Sequence, residues 1–196
     1  VAKRILLWLI CGGVMISGYG LTKLEPFDVP RFLPLTSLDL AVPFLPWTIW
    51  IYGTATWAAL IAWLQVPDKW EGRRLFFSVI LAASICWIFF AFFPTTYPRE
   101  LYPLPNTDSW TIREFADLRS ADTPANCFPS QHVALAWSLG LTWAGFLKRW
   151  WSRPLPILWA LAVTVCTLTT KQHYVVDLPS GIAVGVFSWW VCRRGI

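Results

Sequence analysis

The chain reads as an all-α membrane protein, one domain over residues 1–196 built from six transmembrane helices. Three observations predict this. First, 56% of its 196 residues are hydrophobic and only 14% are charged, with a mean hydropathy of +0.51. A soluble domain carries about a quarter charged residues. A water-soluble globular fold and a disordered chain are both excluded on these numbers. Second, the apolar residues gather into six runs, at 5–20, 44–64, 75–93, 132–147, 155–171 and 177–192. A spanning helix needs roughly 20 such residues. Third, ten of the 16 Lys and Arg stand in short clusters beside those runs.

The first run resembles a secretory signal, with Lys3 and Arg4 ahead of Ile5. However, Ile10 precedes Cys11 and no A-x-A site follows, so a retained helix is expected. The N-terminus, 65–74, 148–154 and the C-terminus hold ten Lys and Arg against two acids, whereas the other loops hold six against nine. Cations favour the cytoplasmic side, so both termini are expected there, and 21–43, 94–131 and 171–176 are expected to face outward. Trp70, Trp150 and Trp151 at one boundary, with Trp47 and Trp50 at the other, suit interfacial belts. The long 94–131 loop is expected to form an ordered cap, with a short amphipathic helix over 109–120. The basic clusters are scattered membrane flanks, not the contiguous face that nucleic acid requires, so no nucleic-acid partner is expected. Five Cys without a CxxC pair suggest neither a disulfide framework nor a zinc site.

Chemistry concentrates at the outward ends of the runs. The two histidines, His132 and His173, both fall there. Asp177 follows His173 by four residues, a spacing that stacks the two side chains on one helical face. A carboxylate so placed can hold one imidazole nitrogen and leave the other to attack or to carry a proton. Ser130 is positioned to cap the helix that His132 opens. A helix start offers free N–H groups to a phosphate. Lys171, Arg99, Arg113 and Arg119 share that side and offer positive charge. Each feature also has a plainer reading: Asp177 as a helix cap, Lys171 as a side chain reaching the interface, each histidine as a satisfied polar group.

Phe128-Pro129-Ser130-Gln131-His132 followed by Lys171-Gln172-His173-Tyr174-Val175-Val176-Asp177 resembles the type 2 phosphatidic acid phosphatase (PAP2) superfamily. Its second motif is PSGH, here with Gln131 in place of Gly, and its third ends in His-x-x-x-Asp. The Ser-Arg pair usual six and seven positions before that His is replaced by Cys166 and Thr167. The usual first motif is absent, and the stretch TTYPRELYP supplies Arg99 instead. These variants are similar to the branch containing inositol phosphorylceramide and sphingomyelin synthases.

The resemblance implies a PAP2-like bundle acting through a phosphohistidine. His173 would be the nucleophile, Asp177 its orienting carboxylate and His132 the acid and base. Lys171, Ser130, Gln131 and Arg99 would bind the phosphate, with Arg113, Arg119 and Tyr174 as accessory residues. No metal and no cofactor are expected. The expected partner is a lipid phosphate within a membrane, and the expected location is a bacterial inner membrane with the site facing the periplasm. Three activities stay open at this point: a lipid phosphatase, a phosphotransferase moving a phosphoryl or phospho-headgroup to a hydroxyl acceptor, and a non-catalytic transporter or scaffold. Neither the lipid nor the oligomeric state is legible.

Overall fold

The computed structural model describes residues 2–21, 27–122 and 126–195. Positions 22–26 of the first expected outward loop and 123–125 of the 94–131 loop lie outside the described residues. The chain is mostly helical, in the order α1 (Ala2–Leu21), α2 (Ser37–Ala41), α3 (Ile49–Tyr52), α4 (Ala55–Gln65), α5 (Lys69–Phe92), α6 (Trp110–Ala121), α7 (Gln131–Phe146), α8 (Pro154–Thr169) and α9 (Asp177–Gly195). Each of the six apolar runs is helical. The stretches Ala2–Leu21, Lys69–Phe92 and Trp150–Thr169 are long and apolar enough to cross a membrane. The short helix expected over 109–120 is α6, capped by Ser109, whose hydroxyl accepts from the Ile112 amide.

The run at 44–64 is not one helix. It opens with a 3-10 turn at Pro46–Thr48, continues as α3, breaks at Gly53 and Thr54, and resumes as α4. The Thr54 hydroxyl donates to the Ile51 carbonyl at 2.6 Å and accepts from the Trp159 indole at 2.9 Å. A hydroxyl that binds its own backbone competes with the helical ladder. Hydropathy alone is blind to this. Also unexpected is a two-residue parallel pair, β1 (Arg31–Phe32) with β2 (Thr95–Thr96). It joins the segments ahead of α2 and after α5, where the buried β2 backbone needs partners.

α7 is the central helix, packed against α9, α8, α5 and α4. Its contact with α9 is close because α9 presents Gly181 and Gly185, one turn apart. A Cβ at Gly185 would lie 2.5 Å from the Ala134 carbonyl, and one at Gly181 would lie 2.7 Å from that of Ser130. Small residues at this spacing let helix backbones approach in apolar surroundings. Buried hydroxyls tie other helices together: Ser78 meets Thr142 at 3.2 Å, and the Trp137 indole donates to Thr164 at 3.0 Å.

The packing sorts the loops into two groups. Arg4 reaches the Leu64 carbonyl, and Gly145 lies beside Arg193, so the N-terminus, the α4–α5 turn, the α7–α8 loop and the C-terminus share one end. The starts of α7 and α9 and the end of α8 share the other, where Ser130 N donates to the Asp177 carbonyl and Gln172 N to that of Thr167. The cation-rich segments are therefore at the end opposite the two histidines. Trp47, Trp50, Trp70, Trp150 and Trp151 are all exposed.

Candidate active site

Three backbone segments converge at the histidine end: 127–132 leading into α7, 171–177 between α8 and α9, and α3. His173 is buried, and its Nδ1 lies 3.0 Å from the Cys127 carbonyl oxygen and 3.2 Å from Asp177 Oδ2. A carbonyl oxygen carries no proton, so Nδ1 is the protonated nitrogen and Nε2 keeps its lone pair. Asp177 is fully buried, and its Oδ2 also accepts the Tyr174 amide at 2.9 Å. The carboxylate thus closes the 174–177 turn and fixes the ring of His173 together. Its bonds go to the His173 ring and to the turn ahead of α9, so it is a His partner that braces that turn.

His132 is the second residue of α7. Its Nδ1 lies 2.8 Å from the Tyr52 hydroxyl, and the two rings stack at 4.1 Å. The centroids of His132 and His173 are 6.2 Å apart at 61°. Ser130 is the N-cap of α7, its hydroxyl accepting from the Val133 amide at 3.4 Å. Gln131 is buried, and its Oε1 has no partner among the described residues.

The cations divide. Arg99 pairs with Asp122, which also accepts from Tyr19 and, at 2.7 Å, from Asn126. Burial pushes the Asp122 carboxyl up, but Arg99, Tyr19 and Asn126 outweigh it and hold it below the ordinary carboxylate range. Arg119 donates from Nη1 to the Tyr102 carbonyl at 3.0 Å. Burial, and then the charge of Arg99, pull its guanidinium below its ordinary value. Arg99 Nε and Arg119 Nε and Nη2 are buried without partners among the described residues. Two adjacent guanidiniums with uncommitted donors suit a phosphate.

Arg113, expected as an accessory, instead forms an exposed ion pair with Asp108 beside the Trp110 ring. Lys171, expected at the phosphate, is buried with φ 53°, and its Nζ donates to the Asp39 carbonyl at 2.6 Å while lying 4.6 Å from the centre of the Tyr102 ring. Tyr174 donates its hydroxyl to the Thr96 carbonyl at 2.8 Å, which anchors the loop to β2. Both serve the loop that carries His173.

Asp39 completes that anchorage and was not singled out in the sequence. Its Oδ1 accepts the Val175 amide at 2.7 Å, and its Oδ2 accepts the Thr36 amide and hydroxyl. The Thr36-x-x-Asp39 capping box is the signal that could have found it. Tyr52 left a weaker one, a hydroxyl within an apolar run. Burial pushes the Asp39 carboxyl up, but the Thr36 and Val175 bonds leave it lowered. Its stabilising effect is therefore complete above the unfolded carboxylate range and is lost as pH falls through its lower folded value. Asp39→Ala strands the Val175 amide and is expected to cost about 1–3 kcal/mol. Thermal unfolding at neutral pH measures that loss, and the gap from wild type should close on acidification.

Among the described residues, no three His, Cys, Asp or Glu side chains converge as a metal-ligand set. No curated protein and no solved structure matches the chain. A family model described as the PAP2 superfamily matches residues 31–191, which takes in both histidines, Asp177 and all of 94–131. With a match over most of its length and apolar helices around two facing imidazoles, this integral membrane protein belongs to the PAP2 superfamily, whose activities are of the phosphatase and phosphotransferase type.

Proposed function

We propose that the protein is a lipid phosphatase that hydrolyses a phosphomonoester or diphosphate at the outer face of a bacterial inner membrane, through a phosphohistidine. The observation that carries this is the fixed tautomer of His173: Cys127 O and Asp177 Oδ2 hold Nδ1–H and leave Nε2 nucleophilic. In the first step Nε2 bonds to phosphorus while the bond to the lipid oxygen breaks. His132 Nε2–H gives its proton to that leaving oxygen. In the second step the same nitrogen takes a proton from water, whose oxygen bonds to phosphorus as the P–N bond breaks. Asp177 balances the positive charge that His173 acquires.

Tyr52 suits both steps. Its hydroxyl oxygen accepts from His132 Nδ1–H throughout, so protonated His132 gives its Nε2 proton to the leaving group and becomes neutral. The neutral ring keeps its Nδ1–H on Tyr52, which leaves Nε2 as the base of the second step. Tyr52→Phe removes this acceptor and keeps the ring stack, so it should lower kcat about tenfold, less than loss of the acid–base group itself. A displaced pH profile with little change in KM would mark a positioning role. An unchanged profile would limit Tyr52 to packing.

Arg99, Arg119, the Ser130 hydroxyl and the first amides of α7 are the proposed phosphate ligands, because phosphoryl transfer is mostly positioning and charge neutralisation. Six spanning helices with both termini cytoplasmic complete this reading. It is supported by the gathering of cation-rich segments at the end away from the histidines. Transfer to a hydroxyl acceptor is the second reading, favoured by the burial of His173 and by the unpartnered Gln131 Oε1. Phosphate release from a panel of lipid phosphates, in EDTA, tests the first against the second. Wild type should release phosphate and His173→Asn should not. Silence from a folded wild type that transfers label to an added lipid alcohol would favour transferase chemistry.

A further inference from the structure

α1 is held to the bundle at both ends and, in the middle, packs on it through Cys11 while bordering an open space. At the histidine end, Tyr19 donates to Asp122 and accepts from Asn126, and at the other end Arg4 Nη1 donates to the Leu64 carbonyl at 2.7 Å. Between them lies an apolar cavity of about 500 Å³, lined by Gly12 and Gly13 of α1, Ala55 and Thr56 of α4, and Leu135 and Ala136 of α7, among others. The space is a cleft open along one side, and walls this apolar are stabilised by an apolar occupant. Its volume lies within the ~300–1,000 Å³ usual for ligand pockets.

Its position says by what. Leu135 and Ala136 follow His132 by three and four residues on α7, one turn further from the site. Ala55 and Thr56 follow Tyr52 by the same interval across the α3–α4 break. Part of the cleft wall therefore lies one turn of α7, about 5 Å, from His132. We infer that it holds a hydrocarbon chain of the lipid phosphate whose headgroup reacts at His173, and that α1, which precedes the family match at 31–191, is its outer wall. This rests on the lipid-phosphate reading above. Gly12 and Gly13 border the space, and a Cβ at either would meet nothing within 4 Å, so a larger side chain there has room to enter it.

The test uses butyl, octyl, dodecyl and hexadecyl phosphate in mixed micelles with purified full-length protein. In wild type, kcat/KM should rise at least about tenfold from butyl to dodecyl, as buried methylenes add binding. Gly12→Phe fills the cavity and should cut the hexadecyl-to-octyl ratio about tenfold. Gly13→Leu is the second variant should the first misfold. An unchanged ratio in a folded variant overturns the inference. A hexadecyl phosphate with a terminal diazirine reads binding without turnover. It should label α1 and α7 at the cavity, and the matching alcohol should label them far less. Equal labelling by both would mean that ordinary bilayer chains fill the space, which overturns the inference. Selective labelling without turnover of any substrate would overturn the phosphatase reading and leave the chain site standing.

Discussion

Replacing His173 with Asn should abolish turnover of every lipid phosphate while leaving the protein folded. The choice of Asn follows from the geometry. Its Nδ2 takes the place of His173 Nδ1 and can still donate to Cys127 O or Asp177 Oδ2, so the buried carboxylate keeps a partner. Alanine would leave that carboxylate with only the Tyr174 amide and risk a stability effect. What Asn lacks is Nε2, the proposed nucleophile. Removing the nucleophile of a covalent enzyme costs on the order of 10⁵–10⁶ in kcat. Phosphate release, paired with a thermal unfolding curve, reads the two effects separately. Turnover within tenfold of wild type would show that His173 forms no covalent bond.

Replacing His132 with Ala should have the next largest effect, and one that depends on the leaving group. An alkoxide leaves poorly without a proton, so release from an alkyl phosphate should fall by about 10²–10⁴. A nitrophenolate leaves without help. With p-nitrophenyl phosphate the variant should therefore phosphorylate His173 normally and then stall, because the same histidine is needed to activate water. The expected result is a burst of nitrophenol equal to the enzyme present, followed by slow turnover. A similar loss on both substrates with no burst would mean that His132 binds phosphate and moves no proton.

The parts of this site that were legible are those fixed by local order. Ser130, His132, His173 and Asp177 lie within two short segments whose spacing alone sets capping and the His–Asp contact. The sequence offers Asp177 equally as a cap, and the structure gives its carboxylate to the His173 ring and to the Tyr174 amide ahead of α9. The directions of the cations were not legible. Lys171 and Arg99 are within reach of a phosphate on any reading of the sequence. The partner each one takes is set by residues elsewhere in the chain, the Asp39 carbonyl for Lys171 and the Asp122 carboxylate for Arg99. The His173 loop is anchored by α2 and β2, both short elements within stretches that read as loop. A five-residue helix has no periodicity to detect, so the role of Asp39 emerges only from packing. The break at Gly53–Thr54 was invisible for a related reason: hydropathy averages over the single hydroxyl that interrupts the ladder. It matters to the site, because α3 ends at Tyr52, the partner of His132.

The Arg99–Asp122 pair links α6 to the proposed phosphate ligands. Asp122 sits at the end of α6 and also binds Tyr19, so one carboxylate joins α6, Arg99 and α1. The Arg119 guanidinium beside it, lowered by burial and by its neighbour's charge, should be the cation that gains most from a bound phosphate dianion.

The central claim is the covalent bond to His173, and trapping tests it most directly. Wild-type protein, mixed with a radiolabelled lipid phosphate and quenched within one turnover, should carry label on the peptide containing His173. That adduct should survive alkali and be lost in mild acid, as a phosphoramidate is. His132→Ala, given radiolabelled p-nitrophenyl phosphate, should accumulate more of it, and His173→Asn none. Label on another residue, or turnover with no adduct at any quench time, would contradict the account.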